Sequence, residues 1–290
     1  MHEFLHDVLF HSIMEFVKLI PFLFLAYLLM ELLEHKEGEK MTRLVARSGR
    51  VGPLFGGVLG ILPQCSFSAA ASGLYAGRVV TLGTLMAVYL ATSDEMLPVL
   101  VASAASPLLI FKLLAYKLVV GILCGFLIDL VLRLTQKKEA HPHIHEMCEA
   151  EGCGCEGSVL RSAWHHTWKI GLFLLVVLLL LNTAVFFIGK ETIAHLFTSL
   201  PVVGHMLAAL VGLIPNCAAS VLLTQLYLEG VLSAGCMLAG LLAGSGMGLL
   251  VLFRVNKSKK EAFLILLLLF AIGTLFGLLT DLTPIARLFS

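Results

Sequence analysis

One phrase is written twice in this chain, and the register between its copies constrains the fold more than any other feature. The first copy is Gly60-Ile61-Leu62-Pro63-Gln64-Cys65-Ser66-Phe67-Ser68, and the second is Gly212-Leu213-Ile214-Pro215-Asn216-Cys217-Ala218-Ala219-Ser220. Pro63 and Pro215 stand 152 residues apart, as do Cys65 and Cys217. Without a gap, the same offset pairs Leu74-Tyr75 with Leu226-Tyr227, Gly83 with Gly235, Ser93 with Ser245 and Asp129 with Asp281. Apolar low-complexity sequence gives chance matches among Leu, Val and Ala. It does not give matched Pro, Cys, Tyr and Asp in one register, so the chain is an internal duplication.

Each copy interrupts a stretch apolar enough to enter a bilayer. Charged residues make up 13% of the chain and hydrophobic ones 59%, with mean hydropathy +0.96. Soluble domains carry about 25% charged residues. The composition is that of an integral membrane protein, and 290 residues suit one helical bundle rather than several domains. The net charge of +1, with no basic face along any helix, excludes a nucleic-acid partner and leaves the lipid bilayer as the surrounding surface. A homo-oligomer stays open. The N-terminal segment carries Glu3 and Asp7 where a cleaved leader carries basic residues, and it reads as a first membrane helix. Seven cysteines, three of them crowded in one polar linker, do not make a secreted disulfide scaffold; metal or metalloid chemistry fits better.

Residues 12–33 form an apolar run, and about 20 such residues cross the hydrocarbon core. The loop 34–50 holds Lys36, Lys40, Arg43, Arg47 and Arg50, so it faces the cytosol and the N-terminus lies outside. Residues 51–76 are apolar but broken at Pro63, and residues 79–104 are interrupted at Thr92-Ser93-Asp94-Glu95. A further span covers 107–133. The plan then restarts, with spans at 169–188, 202–228 (broken at Pro215), 231–253 (loosened by the glycines of 244–248) and 262–282. Trp164 and Trp168 lie where an interfacial aromatic belt is expected. The expected organisation is an all-α polytopic membrane protein: a membrane repeat over 1–134, a His/Cys-rich cytosolic linker over 135–158 and a second repeat over 159–290. Each repeat holds spanning helices, a Pro-broken segment and a broken helix.

Loop charges indicate how the repeats are related. The basic loop 36–50 corresponds to 189–204, which has a single lysine, Lys190; the uncharged 103–106 has a counterpart that holds Arg254, Lys257, Lys259 and Lys260; Arg78 is matched by Gly230 beside Glu229. Opposite bias in equivalent loops means opposite sides, hence inverted repeats, as in many secondary transporters. Inversion requires an odd number of crossings per repeat. Residues 51–76 would measure about 39 Å as one helix, and folded back at Pro63 they give two arms of roughly 18 Å. Such a re-entrant hairpin plus three spans is odd. Three short crossings within 51–104, giving ten crossings in the whole chain, would also be odd; the hairpin is the preferred form.

The hairpin tips are the leading candidate site. Entering from opposite faces, they would bring Gln64, Cys65 and Ser68 against Asn216, Cys217 and Ser220 near the midplane. Irregular backbone inside a bilayer must be buried in protein or line a cavity. Thiols with carboxamide and hydroxyl oxygens suit a soft or borderline ion or a trivalent metalloid. Prolines and small residues also serve plain helix packing, but the recurrence of the whole phrase favours a binding site. Asp94 and Glu95 lie deep in their span, where an acidic residue costs about 3 kcal/mol on insertion scales. With Ser93 they are assigned to substrate binding and coupling, against the alternative that Ser93 and Asp94 cap a restarting half-helix. Lys117, roughly 15 Å into its span, is a candidate partner in coupling. Lys112 reads as a snorkelling lysine, Asp129 and Asp281 as structural, and Cys124 and Cys236 as buried apolar cysteines. In the linker, His141, His143, His145, Cys148, Cys153 and Cys155 alternate with acidic residues as a flexible metal-binding arm, without the paired C-x-x-C of a structural zinc site; His165 and His166 either extend it or sit at the interface.

Enzyme readings fare poorly. His145-Glu146 is not followed by the second histidine of H-E-x-x-H, no histidine follows His205 to serve Ser245 as a base, and neither Cys65 nor Cys217 belongs to a C-x-x-C. No nucleotide-binding loop is present, so no nucleotide cofactor is expected and an ion gradient or a separate partner would drive transport.

The run from Pro63 to Pro98, with Gly212 to Gly230, closely resembles the ten-transmembrane heavy-metal exporter family, also labelled arsenic efflux protein or manganese transporter. More remotely the two halves are similar to organoarsenical permeases, which repeat a Pro-aromatic-Cys phrase; this chain has single cysteines where those have two, so their arsenic site does not carry over whole. The resemblance implies export of a metal or metalloid ion across the cytoplasmic membrane by alternating access. Manganese would be held by Asp94, Glu95, Gln64 and Asn216, and arsenite or a thiophilic cation by Cys65 and Cys217. The alternatives are an organoarsenical or other anion permease, and a membrane metal sensor or redox protein working through the His/Cys arm.

Overall fold

A computed structural model describes residues 51–62, 65–93, 96–135, 201–215 and 217–289, with scattered helical positions between 13 and 28 and between 160 and 183. The basic loop 34–50, the linker with its six histidine and cysteine candidates, and Gln64, Asp94, Glu95 and Asn216 lie outside the described residues. So do the side chains of Cys65 and Cys217 and the ring of His166.

The described chain is helical. The first set is α1 (Gly52–Gly60), α2 (Cys65–Ala76), α3 (Leu82–Ala91), α4 (Met96–Ala102) and α5 (Pro107–Thr135). The second is α6 (Pro201–Gly212), α7 (Cys217–Leu228), α8 (Ala234–Ala243), α9 (Gly248–Val255) and α10 (Lys259–Leu282), followed by a short 3-10 helix, Pro284–Leu288. From α2 to α5 each helix begins at the residue whose repeat partner begins α7 to α10. The expected last span starts three residues early, because Ser258 caps α10 by accepting from the Glu261 N–H.

The duplication extends to atoms. Thr81 caps α3 by accepting from the Thr84 N–H, and Ser233 caps α8 by accepting from the Cys236 N–H. Asp129 on α5 accepts from the Gly83 N–H at 2.8 Å and the Thr81 hydroxyl at 2.7 Å. Asp281 on α10 accepts from the Gly235 N–H at 2.9 Å and from the Ser233 hydroxyl. Small residues let these helices meet closely. A Cβ on Gly125 would lie 2.5 Å from the Gly83 carbonyl oxygen, and one on Gly277 would lie 2.5 Å from that of Gly235. The structural role expected for both aspartates is therefore observed.

Each proline-broken segment folds back. Gly52 lies beside Thr84 and Gly60 beside Val88 and Ala91, so α1 runs alongside α3 in the same direction. α2 then returns: Ser72 meets Tyr89, and Tyr75 near its end bonds Glu261 at the start of α10. In the second set Gly212 lies against the Gly240 carbonyl at the inner end of α6. At the outer end His205 bonds Asp281, and Tyr227 of α7 donates to the Phe289 carbonyl. The 26-residue stretch is thus two helices that fold back on each other, not a single helix.

The arms of each hairpin splay. α1 packs on α3 and α5 while α2 packs on α9; correspondingly α6 packs on α8 and α10 while α7 packs on α4. The halves thus exchange equivalent elements, α2 on α9 and α4 on α7, which is the signature of a two-fold contact. The interrupted segments 82–101 and 234–255 are the inner ones, mostly buried among the described residues, whereas α5 and α10 are mostly open on their outer faces.

Candidate functional site

Four places where the described helices stop converge inside the bundle: after Gly60, after Ala91, after Gly212 and after Ala243. In the first half the Ser93 hydroxyl, on a residue 1% exposed, donates to the Ile61 carbonyl at 2.6 Å. That bond ties the hairpin tip to the break in the α3–α4 helix. It also redefines Ser93: the hydroxyl reaches back to the end of α1, and the restart of α4 is served by the Ser93 carbonyl accepting from the Met96 N–H at 3.0 Å. In the second half Gly244 approaches the Gly212 carbonyl, where a Cβ would lie 3.4 Å from the oxygen.

The halves meet at these breaks. Ser68, fully buried on the first turn of α2, abuts Gly248 at the start of α9, where a Cβ would sit 2.8 Å from the Ser68 carbonyl oxygen. Ser72, one turn on, lies 2.6 Å from both the Ser68 carbonyl and the Tyr89 hydroxyl and 2.8 Å from the Gly248 carbonyl. Its single proton serves one carbonyl at a time while it accepts from Tyr89. Lys117 is wholly buried, and its Nζ donates across the halves to the Leu241 carbonyl at 2.5 Å, in the last turn of α8. Ser220 is half-buried on α7, its carbonyl accepting from Thr224 at 2.7 Å.

Cys65 and Cys217 are the first residues of α2 and α7, each 12 residues long. At that position the helix dipole favours an anionic ligand. The inner ends of α2, α4, α7 and α9 bring N-termini to the centre, and those of α1, α3, α6 and α8 bring C-termini. Such half-helix ends offer both N–H donors and carbonyl acceptors to an ion. Among the described residues no group of three or more His, Cys, Asp or Glu stands ready to hold a metal. Cys124 and Cys236 are free and buried, as expected; His165 is exposed, and Trp164 and Trp168, both exposed, stack with ring centroids 6.0 Å apart. Lys112 reaches the Leu288 carbonyl at 2.7 Å.

Over residues 5–187 the sequence matches the family model described as "Putative, 10TM heavy-metal exporter". The chain belongs to that family. No curated protein and no solved structure matches it. Within the exporter family's description, membrane-spanning helices and a multi-pass arrangement agree with the four helices long and apolar enough to cross a membrane among the described residues.

Tyr89, Ser72 and the ion pair between Arg78 and Glu261 carry no local sequence motif. A signal for them exists in the repeat. Tyr89, Lys117 and Arg78 stand where the second half has Leu241, Leu269 and Gly230, and departures from an otherwise kept symmetry mark positions with work of their own.

Proposed function

We propose that the protein exports a heavy-metal or metalloid ion across the cytoplasmic membrane, by alternating access of a midplane site between two inverted repeats. The observation that carries the reading is the meeting of the breaks. A hairpin tip is tied to a helix break by the Ser93–Ile61 bond, and the halves touch at the same depth through Ser68–Gly248 and Lys117–Leu241. Irregular backbone at membrane depth is tolerated only where it is enclosed or lines a polar cavity, and broken helices at a repeat interface are where transporters hold ions.

Inversion is supported by which helix ends share contacts. α3 begins beside the end of α5 (Gly83–Asp129), and the α2–α3 turn touches the start of α10 (Arg78–Glu261). α8, the partner of α3, begins beside the other end of α10 (Gly235–Asp281). α10 is about 36 Å long by helical rise, so α3 and α8 start at opposite ends of the bundle. The end with Arg78, Arg254, Lys257, Lys259 and Lys260 is the cytosolic one by the positive-inside rule, and the linker leaves α5 at that end. Two hairpins of two half-helices each, with six full spans, account for a count of ten hydrophobic segments.

Cys65 and Cys217 supply soft ligands, Gln64, Asn216, Asp94 and Glu95 hard ones, and the substrate decides which set leads. Lys117 sets the charge that an entering cation meets. A metal-resistance panel on cells expressing wild type, Cys65→Ser, Cys217→Ser and Asp94→Asn tests the site. Loss of arsenic or cadmium resistance in the cysteine variants means thiolate ligation; loss of manganese resistance in Asp94→Asn alone means hard ligands. Normal resistance in all three would exclude the midplane site.

A further inference from the structure

We propose that Arg78 and Glu261 are the bolt of a gate that closes the cytosolic end of the pathway, and that the central breaks are reached from the cytosol only when this pair parts. The inference rests on the transport reading for its purpose, but its geometry is independent of the substrate.

Arg78 lies in the turn between α2 and α3, and Glu261 in the first turn of α10, so the pair joins the two halves. It is bidentate, with guanidinium nitrogens 2.9 and 2.8 Å from the two carboxylate oxygens. The Tyr75 hydroxyl donates to the same carboxylate, and Asn256 Nδ2 lies 3.3 Å from it. The guanidinium also stacks over the Tyr75 ring, 5.4 Å from its centroid. A fork of this kind fixes geometry as well as adding attraction, and the bonded carboxylate holds the guanidinium above its ordinary pKa. Inward of the pair lies the α2–α9 seam, closed by Ser72 on the Gly248 carbonyl and by Ser68 against Gly248. In this proposal a path from this end toward residues 61–62 opens between α2 and α9, and carrying α2 away from that seam also draws Arg78, two residues past its end, from Glu261.

Arg78 has a backbone conformation that favours glycine. It sits at φ 57°, in the left-handed region, where its repeat partner is Gly230 at φ 75°. Arginine bears strain there that glycine avoids. The turn itself needs no arginine, since both copies make the same bonds: Val79 N–H to the Leu74 carbonyl and Val231 N–H to the Leu226 carbonyl. At the other end the partners of Arg78, Glu261 and Asn256 are Gly230, Leu109 and Ala104, and the partner tyrosine, Tyr227, bonds the Phe289 carbonyl instead. Among the described residues, the cytosolic end has an ion pair that joins the halves, whereas the equivalent positions at the other end do not, and the His205–Asp281 pair there lies within the second half. The side chains are 33% and 24% exposed, so both charges rehydrate when the seam parts, which makes the bolt reversible.

The test uses the full chain with Cys65 as sole cysteine and a membrane-impermeant maleimide, applied to inside-out and right-side-out vesicles. From the cytosolic side, Arg78→Gly, which installs the residue the second half uses, and Glu261→Gln should each speed labelling of Cys65 at least tenfold. The exchange Arg78→Glu with Glu261→Arg should return the rate to near that of the parent. Rates within twofold of the parent, or equal acceleration from both sides, would overturn the proposal. Labelling needs no transported ion, so absence of flux would refute transport while leaving the gate result standing.

Discussion

Removing the Asp129 carboxylate tests whether the duplicated frame is held by duplicated bonds. Its two oxygens accept from the Gly83 N–H at 2.8 Å and the Thr81 hydroxyl at 2.7 Å, at the start of α3. A hydrogen bond to a charged acceptor contributes about 1.5–3 kcal/mol. Because the two bonds share one acceptor group, Asp129→Ala should cost about 3 kcal/mol rather than their full sum. For a chain of this size each kcal/mol moves the melting point by about 2–4 °C, so scanning fluorimetry of the solubilised protein should show a fall of about 6–12 °C. Asp129→Asn keeps an oxygen for Gly83, and the Thr81 hydroxyl can turn to accept, so only the charge assistance is lost, about 1 kcal/mol. Thr81→Val loses the same hydroxyl bond and the cap to the Thr84 N–H. Its double variant with Asp129→Ala should therefore fall short of additivity by about 0.5–3 kcal/mol. Asp281→Ala should cost more than Asp129→Ala, since His205 also bonds Asp281 at 2.9 Å. A melting point for Asp129→Ala within about 2 °C of wild type, less than the shift expected from one kcal/mol, would refute the reasoning.

Two further outcomes follow from positions that the repeat marks. Lys117→Leu installs the residue at the partner position, Leu269, so the protein should reach the membrane at wild-type level while gradient-driven manganese or cadmium flux falls at least tenfold; undiminished flux would remove Lys117 from coupling. Gly235→Ala places a Cβ 2.3 Å from the Gly277 carbonyl oxygen and 2.5 Å from the Asp281 carboxyl carbon, and should abolish monodisperse protein on size exclusion, whereas Gly230→Ala, with open space around it, should not.

The all-α membrane architecture is legible in composition, and the duplication in a register that the helix starts keep. Pro63 and Pro215 stand between helices that fold back on each other, and Asp129 and Asp281 read as structural from their place near helix ends. Ser93, which reads in the sequence as a substrate ligand or a helix cap, gives its hydroxyl to the Ile61 carbonyl, a bond that no local pattern announces. The Arg78–Glu261 pair joins residues 183 apart in sequence, and the Ser72–Gly248 bond joins residues 176 apart. Contacts of that range depend on how the halves dock, and docking leaves no periodicity in either partner. What could be read was asymmetry. Arginine at a turn where the other copy has glycine, and lysine where it has leucine, are each costly in place, and each proved to reach across to the other half.

The central claim is that the meeting hairpins move an ion, and flux through purified protein in sealed proteoliposomes tests it most directly. With manganese, cadmium and arsenite offered separately, the account predicts saturable, gradient-dependent flux of one of them, lost in Cys65→Ser with Cys217→Ser or in Asp94→Asn. Stoichiometric binding of the same ions without any movement across the bilayer would contradict it and make the protein a membrane metal sensor.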